Sequence, residues 1–319
     1  MKDMRLTFDA DMTGLEADDW FARLEDISDD LGYFEPLGAD HVAAFLDAGP
    51  QLLVTFENAD DIRTHHPDAQ PRGFHYTRHS GWSHLAIISK AESWFRDVAI
   101  YRYFDRLIDD GFFEDFDNVL FHGAHAGGYA AAAYCVAAPG CTVLAIRPQA
   151  TLDPRITGFD TRFIEQRRKN FTDRFGYAPD MIDAANEAFI AFDPLQRNDA
   201  IHAAMFTRSN MTPLRCKAMG NALETALDDI GIHDGLIQAA MTKTLTEAKF
   251  HTAMRSRRDH EPYLRVIFSR LIRTNHHQLA ANLCAYILRK SPNNFFTRKL
   301  QDLEDQGYSP RQPLKVNAA

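Results

Sequence analysis

The stretch Phe121-His122-Gly123-Ala124-His125-Ala126-Gly127-Gly128 sets an imidazole midway between two glycines, after an apolar run and before alanine-rich residues. Glycines so spaced let a strand turn sharply into a helix, which exposes the central side chain and aims helix N-terminal amides at the same point. An imidazole there can move a proton or orient a ligand, so His125 is the first candidate for chemistry. Gly123, Ala126 and Gly127 are the matching candidates for ligand contact. Arg167 and Arg168, in a basic and aromatic stretch from Arg162 to Tyr177, carry planar groups suited to phosphate, sulfate or carboxylate, and a solvated lid face is the competing reading. His65, His66, His75, His79 and His84, with His122 and His125, raise the question of a metal. Ligands would have to converge from separate loops and no zinc-protease motif occurs, so neither a metal nor a cofactor is expected. Ser80 and Ser83, flanking Trp82, are further hydroxyls to weigh as nucleophiles.

These groups need elements to hold them. Thr13 and Glu16 have capping-box spacing, and Trp20, Leu24, Ile27 and Leu31 recur at helical intervals. The pattern predicts a second short helix around Val42 to Leu46, then strands at Leu52–Phe56, Leu85–Ile88, Asn118–Phe121, Thr142–Ile146, Ala188–Phe192 and, more weakly, Leu214 to Ala218. Helical stretches alternate with these strands. Parallel strands require such crossovers, so the expected class is α/β: a mostly parallel sheet with helices on both faces. Residues 1–50 read as an N-terminal helical segment, 51–234 as the core with an insertion at about 155–187, and 235–319 as a C-terminal helical appendage. The tail from Gln306, with Pro310 and Pro313, reads as loose.

The chain has 319 residues, 45% of them apolar, and a formal net charge of −9. That charge disfavours nucleic acid and anionic membranes as partners, and no apolar run is long enough to span a bilayer. The N-terminus is acidic where a signal peptide is basic and then apolar, so a soluble, cytoplasmic protein is expected. Four cysteines, Cys135, Cys141, Cys216 and Cys284, have neither zinc-site nor disulfide-framework spacing. Acids dominate before Asp61 and bases after Lys243, which fits either a basic binding tail or solvated helix faces.

The glycine-flanked turn, Pro139-Gly140, the Thr142–Ile146 strand and the later strand ending before Asp193 fall in the order used by the α/β-hydrolase superfamily. Over roughly Gln51 to Thr225, about half its length, the chain resembles that superfamily. The resemblance implies a nucleophile at position 125, where this chain has histidine, and an acid at Asp193, with Asp153 as a substitute. It implies a base after the strand near Leu214, where Gly220-Asn221 stands in place of glycine-histidine. His125, Asp193 and Asn221 then mark a degenerate triad, a pseudoenzyme site binding an anionic or carbonyl-bearing small molecule. The alternatives are an unconventional hydrolase or transferase using His125 and Asp193, and an interaction scaffold; an oligomer is compatible with each.

Gly81-Trp82-Ser83-His84-Leu85, Trp94-Phe95-Arg96-Asp97, Tyr129 to Gly140 and Pro148 to Pro154 are similar to alphaproteobacterial proteins labelled phosphoadenosine phosphosulfate reductase, over most of the chain. The lysine-bearing phosphate loop of reductases of that name has no counterpart here. Cys284, among Leu283, Ala285 and Tyr286, sits on a helix-patterned stretch where thiols are usually inert.

Overall fold

Strands that read as near-continuous apolar runs must be covered on both faces, and here they are. The structure, a computed structural model, describes residues 11–311. One sheet holds β1 (Gly32–Leu37), β2 (His41–Leu46), β3 (Gln51–Asn58), β4 (Ser83–Ser89), β5 (Asn118–Ala124), β6 (Thr142–Ile146), β7 (Glu187–Phe192) and β8 (Met211–Arg215) in the order β1-β2-β4-β3-β5-β6-β7-β8. Only β2 runs against the rest, pairing antiparallel with both β1 and β4. From β3 onward every pairing is parallel. The chain therefore forms the mostly parallel α/β sheet, with helices on both faces, that its sequence led us to expect.

Side-chain alternation splits the core. Val42, Ala44, Leu46, Ala86 and Ile88 face α1 (Ala17–Leu31), where Trp20, Leu24 and Ile27 are buried. Phe45, Val54, Phe56, Leu85, Phe121 and Val143 face the opposite way, in one cluster with residues of α4 (Val98–Asp109) and α5 (Ala126–Tyr134). Four alanines in succession, Ala130 to Ala133, let α5 lie close on β3, β5 and β6. On the first face lie α2 (Ala59–His65), α3 (Arg72–Ser80), against β3 and β4, and α8 (His233–Met241), against β5 and β6. Two further helices, α6 (Arg197–Met205) and α7 (Leu223–Asp229), follow β7 and β8.

The helix expected around Val42 to Leu46 is instead β2. A short apolar run carries no helix-versus-strand information of its own, and pairing on both sides decides it. Its neighbour β1 was missed because Pro36 weakens a strand signal; as an edge strand it tolerates the missing donor. The second compact unit opens at Ser256 and not near Gly235. Leu236, Ile237, Ala240 and Met241 bury α8 in the first unit, which also includes α9 (Glu247–Ala253). In the second unit α10 (Glu261–Arg273), α11 (His277–Lys290) and α12 (Asn294–Glu304) pack around Phe268, Ala280, Cys284 and Phe296. Pro313 lies outside the described residues.

Candidate functional site

At the carboxyl edge, β5 ends on Ala124 and α5 begins on Ala126, so the whole turn falls on His125, at φ 55° and ψ −117°. A non-glycine residue rarely adopts that conformation, which costs about 1–3 kcal/mol and persists only when its surroundings hold it. They do: His125 N–H donates to Ile146 O at 2.9 Å, and Tyr129 N–H donates to His125 O at 2.9 Å. A Cβ on Gly123 would lie 2.4 Å from Gly127 O, and one on Gly127 would lie 2.1 Å from Phe56 O. The two glycines are what let helix and strand backbones meet.

The His125 ring packs between Trp94 and Phe163, with ring centres 5.2 and 4.9 Å away. Burial, then the positive charges of Arg147 and Arg162, push its pKa down to about 3 against the opposing pull of Asp160. The imidazole is therefore neutral at pH 7. Those two arginines are matched by buried acids: Arg162 pairs with Asp160 at 2.6 Å and with Asp199 at 2.7 Å, and Arg147 approaches Asp199 at 4.0 Å.

A cavity of about 320 Å³ opens beside the turn, lined by Thr55 to Asn58 at the end of β3, the loop from Ser89 to Phe95 after β4, and His122 to Gly127. Asp61, His66, Arg72 and Glu224 close it. A second space of about 310 Å³ shares His125 and Glu224 and extends past Arg147 to Asn221 and Ala222. The carboxylates Glu57, Asp61, Glu92 and Glu224 thus border the main cavity, where Arg72 is the one arginine among the described residues. That guanidinium is engaged by Asp228 at 2.9 Å and Glu224 at 3.5 Å. Burial alone would lower its pKa, but Glu224, Asp228 and Glu57 hold it up.

Beneath the cavity runs a polar chain through the sheet. Thr55 bonds both Glu57 and His84 Nε2, the latter at 2.8 Å. Glu57 also accepts from Arg72 N–H at 3.0 Å and approaches His66 at 3.4 Å. His122 Nδ1 lies 2.8 Å from Leu144 O and must carry a hydrogen, while its Nε2 faces His233 Nε2 at 3.1 Å. His233 Nδ1 meets Asp228 at 2.8 Å. With one proton in each of these three hydrogen bonds, the chain would hold one more proton than two neutral imidazoles and a carboxylate. Burial, His233 and Arg72 keep the His122 pKa far below its ordinary value.

The expected acid lies elsewhere. Asp193 is 1% exposed and accepts from the backbone N–H groups of Leu195 (2.9 Å), Ala218 (3.0 Å) and Gly220 (2.8 Å). It ties the loop after β7 to the loop after β8. Asn221 is exposed and its carbonyl accepts from Arg147, so it borders the second space through a loop and meets neither His125 nor Asp193 in a hydrogen bond. Asp153 binds Arg155.

Gly123, Ala126 and Gly127 do line the main cavity, whereas Arg167 and Arg168 line neither space. Arg167 donates to Thr157 O and Asp160 O, and Arg168 pairs with Glu165 at the surface. Ser83 begins β4, at the opposite edge of the sheet, bound to Ala48 and Gly49, and Ser80 is exposed at the end of α3. Among the described residues no three metal-binding side chains converge. All four cysteines are buried and outside any disulfide; burial pushes Cys284 up to about 11.

Sequence reasoning missed His233, Arg72 and the pair His41 and Ser93, which meet at 2.6 Å beside the cavity. The signal available was Ser93-Trp94-Phe95 in the loop after a strand, without any indication that β2 would bring His41 there.

No model of a known family matches the chain, and no curated protein does. Solved structures of similar fold include EstE1, a thermostable carboxylesterase from a metagenomic library, at 12% identity over 75% of this chain and 98% of that one, with a TM-score of 0.40. An esterase of Pyrobaculum calidifontis is 13% identical over 73% and 95%, at 0.43. A capsule O-acetyltransferase of Neisseria meningitidis serogroup A is 13% identical over 62% and 91%, at 0.37. Likenesses at this distance transfer no residue roles to this chain.

Proposed function

We propose that this chain is an α/β-hydrolase-like protein whose strand-to-helix turn no longer does serine-hydrolase chemistry, and whose cavity binds a small carbonyl-bearing ligand. The observation that carries the reading is His125 itself. It keeps the strained backbone of a nucleophile elbow, yet its neutral ring is flanked by Trp94 and Phe163, with no hydrogen-bonded base or acid among the described residues. What remains useful is the start of α5, where Ala126 and Gly127 border the cavity and helix N-terminal amides favour a carbonyl oxygen or an oxyanion.

The lining argues against an anionic ligand. Glu57, Asp61, Glu92 and Glu224 border the space, and the charge of Arg72 is already matched. A neutral or amine-bearing carbonyl compound fits better than a carboxylate or phosphate. Against an unconventional enzyme pairing His125 with Asp193 stands the use of both Asp193 oxygens by backbone amides.

Three probes of equal chain length separate these ligand classes: hexanamide, hexanoate and hexylamine, compared by their shift of the melting temperature. Hexanamide should stabilise the protein most, and Glu57→Gln should narrow the gap to hexanoate. Stabilisation by hexanoate alone would reverse the assignment. Acyl-ester turnover by wild type that vanishes in His125→Ala with the fold intact would return chemistry to the turn.

A further inference from the structure

We propose that Ser93 is a nucleophilic serine with His41 as its base, so that the cavity's acyl-acceptor site lies in the loop after β4 and not at the turn after β5. This rests on the cavity being a pocket for carbonyl compounds.

Ser93 Oγ lies 2.6 Å from His41 Nε2. Both residues are buried, and Ser93 lines the cavity that the turn and the start of α5 also border. The sheet topology produces the meeting. Because β2 alone runs antiparallel, its first residue reaches the carboxyl edge of the sheet, where His41 is paired with Ser89 at the end of β4. The Phe95 N–H donates to Ser93 Oγ at 3.1 Å, which leaves the hydroxyl proton for a neutral His41 ring.

The loop is held in a costly shape. Trp94 and Phe95 adopt φ of 56° and 55°, where bulky residues are rare, and such strain collects at functional sites. Tyr134 Oη donates to Phe95 O at 2.6 Å and the Trp94 ring packs on His125, so residues around the turn hold the serine loop. Burial lowers the His41 pKa, opposed by Asp97 and Asp40 and aided by Lys169 and Lys90. The ring is a base at neutral pH. Among the described residues its buried Nδ1 has no hydrogen-bond partner, so no acid orients it, and turnover should be slow.

The step balances without another reagent. Ser93 Oγ attacks an ester carbonyl while its proton passes to His41 Nε2, and the amides at the start of α5 are available to the oxyanion. The bond to the alcohol breaks as Nε2 returns the proton to the leaving oxygen. Water then repeats the sequence, releasing the carboxylic acid and restoring Ser93.

A fluorophosphonate probe on the full chain tests this, read by intact mass and peptide mapping. One adduct is expected, on the tryptic peptide 91–96, whose single serine is Ser93. It should be absent from Ser93→Ala and form about 100-fold more slowly in His41→Gln. Because burial lowers the His41 pKa, the wild-type rate should hold through the ordinary histidine value of about 6.5 and fall only at lower pH. No adduct, or an adduct elsewhere, overturns the proposal, and mapping on wild type does not depend on any variant folding. A melting shift by hexanamide without an adduct refutes the nucleophile and leaves the pocket reading standing. An adduct without the shift supports Ser93 and counts against that reading.

Discussion

Around β4 and β5 the carboxyl edge of the sheet leaves polar groups facing a cavity, whereas around β7 and β8 it consumes them in holding loops together. His125 and the start of α5 border open space, and among the described residues the Ser93 and His41 side chains hydrogen-bond only to each other and to one backbone amide. Asp193, at the end of β7, spends its carboxylate on three amides from two loops. A carboxylate at the sequence position of a catalytic acid can therefore be a backbone staple, and its hydrogen-bond partners distinguish the two roles.

The largest effect should come from breaking that staple. Asp193→Ala removes a buried charged acceptor and leaves the Ala218 and Gly220 N–H groups unpaired, costing about 3–5 kcal/mol. Chemical denaturation measures it. If Asp193 were catalytic in place of structural, stability would barely change and only activity would fall.

Much of the sheet was legible in the sequence, because buried parallel strands are apolar runs bounded by turn residues. Gly123 and Gly127 likewise announced the turn. What stayed hidden depended on partners remote in the chain. Val42 to Leu46 could not be told from a helix until β1 and β4 flanked it, and that strand alone delivers His41 to Ser93. The same limit applied to Asp193, whose donors Ala218 and Gly220 lie beyond the next strand.

The next effect is acid sensitivity at the cavity side. His84 and His125 have pKa values lowered to about 3 by burial first, and His122 is lowered in the same way. The unfolded chain binds their protons near pH 6.5 and the folded chain does not, so it is the unfolded state that gains as pH falls. Their contribution is complete above about pH 6.5 and is lost between there and about pH 3, by up to about 1.4 kcal/mol per pH unit for each histidine. His84→Gln should flatten the pH dependence of the melting temperature between pH 6.5 and 4. An unchanged slope would mean that His84 is protonated when folded.

A smaller effect follows from strain at the turn. At φ 55° alanine is as constrained as histidine, while glycine is not, so His125→Gly should be about 1 kcal/mol more stable than His125→Ala. Comparing the two by thermal melts isolates the backbone, since both lose the ring. Equal stabilities would show that the conformation relaxes once the ring is gone.

The smallest effect separates the two arginines of the insertion. Arg167 reaches the carbonyls of Thr157 and Asp160, which lie in the loop that also holds the Asp160–Arg162 pair, so its loss unties part of that loop. Arg168 has its side chain 81% exposed and pairs three residues back with Glu165, an exposed ion pair of the kind usually worth less than about 1 kcal/mol. Arg168→Ala should change stability by at most about 0.5 kcal/mol and leave the melting shift with hexanamide unaltered. A lid that closes over the cavity onto a ligand would predict otherwise: loss of Arg168 would weaken ligand stabilisation while leaving the unliganded protein as stable as before. The pair of melting curves, with and without ligand, therefore decides whether the basic stretch is a solvated face or a part of the site.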